Sequence, residues 1–251
     1  AVYEIEWHKG LSLELPWIRP ARTAVTLFVL SARRRRESRD WDGALEDAAA
    51  GLQLARDTAR VPLLIYFLVG NSMTLTMLDE LRTTLQEADL PSDAAARLAE
   101  VLARAEENLP SPADAVESER ALANETMRDA VRGGRLSDIG GPEAIRAMLW
   151  RQGFSLRIAA ADLDERYEQV VNALRENQAR PFAEAASEYD LLTPEGRSDN
   201  PLEDLLLVSV ANVDRSSREI LAKLRLLRAG FAERAGRGIP PPADPFDGKP
   251  M

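Results

Sequence analysis

Carboxylates on helices are the first residues of this sequence that could do chemistry. Glu117 and Asp162 each fall within a predicted helix, and helix bundles that bind metal ions use inward-pointing glutamates of this kind. Glu119 is two positions from Glu117, so the two side chains project about 200° apart from a helix. An acidic, metal-assisted pocket around Glu117 and Asp162 is therefore the enzymatic alternative.

The chain lacks the residues that most other catalytic mechanisms need. The chain has no cysteine, which excludes disulfides, thiolate metal sites and cysteine nucleophiles. Its single histidine, His8, is too little for a Ser-His-Asp triad or a multi-histidine metal site unless a second chain contributes. The glycines at 140–141 lack the spacing of a phosphate-binding loop, so this stretch is interpreted as an ordinary loop. We predict no cofactor and no metal ion.

Four consecutive arginines, Arg33 to Arg36, are a candidate binding site instead. Consecutive residues advance about 100° around a helix, so the four arginines wrap around the helix end and do not form a stripe. Cations also suit a helix C-terminus, so the run is interpreted either as a solvated helix end or as a local contact for an anion or a phospholipid. The residues predicted to contact an acidic protein partner are Arg33, Arg34, Arg35, Arg36, Arg39 and Trp41.

Composition favours helices and disfavours nucleic acid. Of the 251 residues, 45% are hydrophobic but only 6% aromatic, and Ala, Leu, Glu and Arg dominate, as in helical proteins. The formal charge of −9 would repel nucleic acid at long range. The sequence therefore predicts an all-α fold with no nucleic-acid partner.

The segment Val61–Leu78 has no charged residue and is predicted to be the centre of the core. It contains Pro62, Gly70 and Asn71, and is short and polar for a membrane span of about 20 residues. We predict a buried helix that continues to Leu85, with Pro62 in its first turn. No membrane span is predicted in this chain.

The remaining patterns predict eight or nine helices in antiparallel hairpins, as an irregular solenoid or a bundle. They form one helical domain over 1–238, with sub-boundaries near 133–141 and 193–200, followed by a proline-rich tail over 239–251. Residues 1–19 are predicted to be a short strand or an extended arm, because Pro16 and Pro20 disfavour a helix. The other expected helices start near Ala21, Trp41, Ser92 (as N-cap), Pro112, Glu143, Ser155, Phe182 and Asn200 (as N-cap).

The helix from Trp41 to Thr58 resembles the second helix of a tetratricopeptide repeat. The positions that would pack against the preceding helix are Trp41, Ala44, Leu45, Ala48 and Leu52. Arg39 stands where the motif has glycine, and no second copy follows one repeat length later. The resemblance implies a helical hairpin more than a peptide-binding array.

The tail Asp244–Pro250, DPFDGKP, resembles the ending of pseudopilins and of uncharacterised helical envelope proteins of bacteria. The resemblance implies a domain outside the cytoplasm, with a membrane anchor preceding Ala1. A surface tail held down by Phe246 is the alternative, and with it a cytoplasmic location stays open.

These patterns together predict a non-enzymatic protein-interaction or scaffold domain of the bacterial cell envelope. Binding would use a groove between helices. The acidic enzyme around Glu117 and Asp162 is the competing class. A subunit of a homo-oligomer is the third, and a large exposed apolar patch would favour it.

Overall fold

The fold is all-α. The computed structural model describes residues 15–87, 89–131, 156–192 and 210–251. These residues form eight helices and no strand, and a single isolated bridge joins Ala243 to Pro250. The helices are α1 (Ile18–Glu37), α2 (Trp41–Ala59), α3 (Leu64–Leu85), α4 (Ser92–Glu107), α5 (Pro112–Val131), α6 (Leu156–Asn177), α7 (Phe182–Leu192) and α8 (Val210–Arg234).

The helices pack as hairpins around α3. Helix α1 lies on α2 and α2 on α3, while α5 pairs with α6 and α4 pairs with α8, which is distant in sequence. Helix α3 also contacts α1, α5 and α8, so four helices surround it. This arrangement confirms the all-α prediction, and its packing is consistent with antiparallel hairpins.

Helix α3 is buried on several sides, as the lack of charge in the segment Val61–Leu78 predicts. Its buried residues include Phe67, Met77 and Leu78, each at most 1% exposed. The helix starts later than expected, because Leu63 has the extended conformation of a cap residue. Pro62 therefore precedes the helix and is not in its first turn.

Two glycines let α2 and α3 approach closely. A Cβ atom on Gly70 would lie 2.6 Å from both the Ala55 carbonyl oxygen and the Ala59 nitrogen of α2. One on Gly51 would lie 2.6 Å from the Met77 sulfur atom. Backbone cannot move aside as a side chain can, so Gly70 marks the tightest crossing in this hairpin.

Two more helices start at residues other than the predicted ones. Helix α1 begins at Ile18 and contains Pro20, which is tolerated because the first N–H groups of a helix have no partner within it. Ser92 was expected to cap α4, but it is the first helical residue, and Pro91 occupies the cap position.

Two hydrophobic clusters make up most of the core. One joins the first turns of α3 to α5, α6, α7 and the start of α8, and includes Phe67 and Val213. The other joins α1, α2, the rest of α3, α4 and the end of α8, and includes Met77 and Leu224. Because α3 and α8 contribute to both, they connect the two clusters.

The tail closes on itself and caps α7. The Asp244 N–H donates to the Lys249 carbonyl and the Gly248 N–H to the Asp244 carbonyl, both at 2.8 Å. The first two N–H groups of α7 donate to the Pro245 and Phe246 carbonyls, at 3.0 and 2.9 Å. The Phe246 ring packs edge-on against Phe182, with ring centres 5.8 Å apart. The expectation that Phe246 holds the tail down is confirmed.

Several predictions fall outside the described residues. They are the arm over residues 1–14, the glycine loop at 140–142, the helix from Glu143, the boundary at 193–200 and the cap at Asn200.

Substitution of Gly70 by alanine should destabilise the protein. Alanine favours a helix over glycine by up to about 1 kcal/mol, but here its methyl group would collide with the α2 backbone. We expect a net loss of about 1 to 3 kcal/mol in the free energy of unfolding, measured by urea denaturation.

Gly230→Ala in α8 is the matched control. Its Cβ atom would meet only a terminal methyl group of Leu85, which can rotate away. We expect this variant to be neutral or more stable, and equal losses for the two variants would contradict the close crossing of α2 and α3.

Candidate functional site

Two arginines of the run bind an acid within the protein. The Glu80 side chain of α3 is only 3% exposed. Arg33 Nη2 lies 3.1 Å from its Oε2 atom, and Arg36 Nη1 lies 3.0 Å from its Oε1 atom. Arg36 is itself 8% exposed, so it and Glu80 form a buried ion pair between α1 and α3.

Other predicted partner-binding residues also make internal contacts. Arg35 Nε lies 3.1 Å from Asp47 Oδ2, and Arg39 Nε lies 2.8 Å from Asp89 Oδ2. Trp41 is half-buried and packs against the second cluster. Of the run, only Arg34 has no ion pair within the described part of the chain.

The backbone explains one departure from the tetratricopeptide pattern. Arg39 has a φ of 59°, the left-handed conformation that glycine adopts without strain. It stands between α1 and α2, where the resemblance expects glycine. Ala44, Ala48 and Leu52 are buried in this hairpin, which any pair of packed helices would require.

Helix α1 has a solvent-facing side that we call the α1 outer face: Thr23, Leu27, Leu30 and Arg34. Their spacing of four, three and four residues places them along one line on the helix. Leu27 is 61% exposed and Leu30 is 52% exposed. Arg19 and Arg22 lie beside this face, are exposed and have no ion pair among the described residues.

Neither acidic candidate lines any of three cavities in the described part of the chain. Glu117 is 45% exposed and lies 3.7 Å from Arg120. Arg120 also binds Asp164 of α6, with Nε to Oδ1 at 2.6 Å, and this hydrogen bond lowers the pKa of Asp164. Asp162 is half-buried outside this network. Within the ranges that the structure describes, no group of three acidic or histidine side chains could hold a metal ion.

Glu119 is the acid that turns inward. Burial raises its pKa, and a hydrogen bond from the Leu64 N–H at the start of α3 offsets part of that shift. Burial also raises the pKa of Tyr167 on α6, with a contribution from the Glu119 charge. Sequence spacing separated Glu119 from Glu117 but gave no signal that Glu119 would be the acid beside the start of α3.

A second buried ion pair organises the other end of the molecule. Arg218 Nε donates to Asp214 Oδ2 at 2.7 Å, and both side chains are 6% exposed. The Arg218 guanidinium also donates to the carbonyls of Asn177, Arg180 and Pro245. Arg218 therefore holds the turn before α7 and the tail against α8. In the sequence, Asp214 and Arg218 have the four-residue spacing of an ordinary ion pair on a helix surface.

Two cavities lie on either side of Asn71. The first, of about 270 Å³, is bounded by α8, the turn before α7 and the tail. The second, of about 290 Å³, lies between α2, α4 and α8. Asn71, Leu109 and Pro110 line both. Sequence reasoning treated Asn71 only as a polar residue in an apolar helix.

None of the helices in the described ranges is long and apolar enough to cross a membrane. Comparisons of the chain with models of protein families, with curated proteins and with solved structures found no match. The tetratricopeptide-like and pseudopilin-like resemblances therefore stay predictions.

Arg36→Met should destabilise the fold and Arg34→Met should not. Removal of Arg36 leaves the Glu80 charge buried with only Arg33 beside it. Because an uncompensated buried charge is costly, we expect a loss of about 3 kcal/mol in urea denaturation. Arg34 is exposed, so its variant should stay within about 0.5 kcal/mol of the parent protein.

The double variant Arg36→Met/Glu80→Met completes this test. It removes both charges and should recover much of the lost stability, since apolar replacements of a buried ion pair are often tolerated. A loss equal to the sum of the single effects would show that the pair is not coupled.

Glu119→Gln should stabilise the protein at pH 7 and not at pH 4. Because burial raises the pKa of Glu119, its ionisation opposes folding, and that penalty develops as the pH rises from the ordinary value near 4.5 through the raised one. Glutamine removes the charge but keeps an acceptor for the Leu64 N–H. Glu117→Gln, at an exposed site, is the control, and a gain at both pH values would contradict the assignment.

Proposed function

We propose that this protein is a non-enzymatic interaction domain whose α1 outer face binds an acidic amphipathic helix of a partner protein. The observation that carries the proposal is a line of exposed leucines bordered by arginines that have no ion pair among the residues that the structure describes. The proposed setting is the bacterial cell envelope, on the basis of the resemblance of the tail DPFDGKP.

The spacing of the α1 outer face fits a partner helix. Residues at intervals of four and three form the seam of a two-helix contact, in which side chains of one helix insert between those of the other. Leu27 and Leu30 stand at the middle of this seam and are more than half exposed. Because each is already about half buried, its complete burial would contribute about 0.8 to 1.5 kcal/mol to binding, before the loss of freedom on association is subtracted.

Charge favours an acidic partner. Arg19, Arg22 and Arg34 are exposed without ion pairs in the described part of the chain, in a protein whose formal charge is −9. Carboxylates that flank a partner's apolar stripe would pair with them and set its orientation. The arginines bound to Glu80 and Asp47 lack this freedom because they already have internal acids.

The same charges disfavour two other occupants. A second copy of α1 would bring like charges together across the interface, which opposes a homodimer on this face. An anionic membrane would attract the arginines but would be repelled by the protein as a whole.

A designed peptide of four heptads, with leucine at the seam and glutamate at the flanking positions, tests the proposal. We expect it to bind the full chain, while a peptide with lysine in place of glutamate does not, as measured by fluorescence anisotropy. The double variant Leu27→Ser/Leu30→Ser should bind about tenfold more weakly or worse, because both seam contacts are lost.

Leu226→Ser is the matched control, since Leu226 of α8 is 50% exposed, close to the 52% of Leu30. It should leave peptide binding unchanged. Equal binding of the two peptides would overturn the proposal. Two other results would also overturn it. One is a dimer of the free protein that the double variant Leu27→Ser/Leu30→Ser abolishes, and the other is binding to phosphatidylglycerol vesicles that the same variant abolishes.

A further inference from the structure

The second of the two cavities beside Asn71, between α2, α4 and α8, has the chemistry of a small-molecule site. Its volume is about 290 Å³, and its apolar wall is formed by Leu52, Val101 and Leu224. At about 30 Å³ per water molecule, it has room for a ligand of about ten non-hydrogen atoms. Pockets of this kind, mostly apolar with a few convergent polar groups, are typical ligand sites.

Asn71 supplies a polar group deep in this cavity. The residue is 4% exposed, and its Nδ2 atom donates to Ser216 Oγ at 3.2 Å. No donor within the described part of the chain bonds to its Oδ1 atom. Asn71 lines the cavity, so an acceptor without a donor among the described residues is available there to a ligand. A hydroxyl or amide N–H of a ligand would satisfy it.

Two arginines line the same cavity, and no acid does. Arg104 of α4 is exposed and has no ion pair among the described residues. Arg56 of α2 donates through Nη2 to Gln53, while its Nε atom is buried without a hydrogen bond and lies 3.7 Å from the Asp57 carboxylate. Both guanidinium groups therefore retain donors for an anion.

We propose that this cavity binds a small organic carboxylate with an apolar body and a hydrogen-bond donor at its far end. The carboxylate lies at Arg56 and Arg104, the apolar body lies along Leu224, and the donor reaches Asn71 Oδ1. No residue of α1 lines the cavity, so the site is independent of the α1 outer face.

Three eight-carbon probes separate these contacts: 8-hydroxyoctanoate, octanoate and 1,8-octanediol. Octanoate lacks the hydroxyl group that would bind Asn71, and the diol lacks the charge that would bind the arginines. We expect 8-hydroxyoctanoate to bind tightest to the full chain by calorimetry, with each of the others about tenfold weaker.

Variants locate the site. Arg104→Gln should lower the affinity for 8-hydroxyoctanoate about tenfold without altering the affinity for octanediol. Arg82→Gln, at an exposed arginine on α3, is the control and should change neither affinity. Ala105→Trp fills the cavity and should abolish binding of all three probes. Ala103→Trp, at a residue of α4 that is also half-exposed, is its control, and denaturation curves confirm that each variant folds.

The absence of saturable binding by 8-hydroxyoctanoate to the parent protein would overturn the proposal. So would equal affinity for all three probes, or binding that survives Ala105→Trp in a folded variant. None of these results would affect the α1 outer face, which is tested with a peptide.

Discussion

Burial of α3 among α1, α2, α5 and α8 is the constraint on which the rest of the structure depends. A helix surrounded on several sides must be apolar nearly all round, and its neighbours must come close enough to exclude water. Gly70 provides that approach on the α2 side. Where α3 does carry a buried charge, at Glu80, a neighbour must neutralise it, and Arg33 and Arg36 of α1 do so. The arginine run therefore has a structural role that follows from the burial of α3.

The sequence predicted elements well where one local pattern decides the structure. The uncharged segment indicated a buried helix, and Phe67, Met77 and Leu78 of α3 are buried as that segment predicted. Pairings across the chain could not be predicted in this way. Arg33 and Glu80 are 47 residues apart, and no periodicity connects them. For the same reason, spacing alone could not tell which acid of α5 would lie beside the start of α3 or that Asn71 would line two cavities.

The tail shows how proline can take part in a structure that it cannot continue. Proline has no N–H to donate, so a segment rich in proline was predicted not to be helical. Its carbonyl groups still accept hydrogen bonds, and the start of a helix has N–H groups without partners. Pro245 and Phe246 supply carbonyls to α7, and the Pro245 carbonyl also accepts from buried Arg218. Composition indicated the irregular backbone, but only the fold shows which donors it satisfies.

Charge is informative in this protein only after the internal pairs are set aside. The chain has 41 acidic and 32 basic residues, so acids are plentiful enough to pair with its arginines. Arg36 beside Glu80 and Arg218 beside Asp214 are part of the core and give no reason to expect a ligand. Arg34 and Arg104 differ because each is exposed, lacks an ion pair in the described ranges and adjoins apolar surface. An unpaired cation beside apolar groups favours an anion that also has an apolar part. Both proposed ligands have this character: the acidic helix at the α1 outer face and the small carboxylate in the cavity beside Asn71.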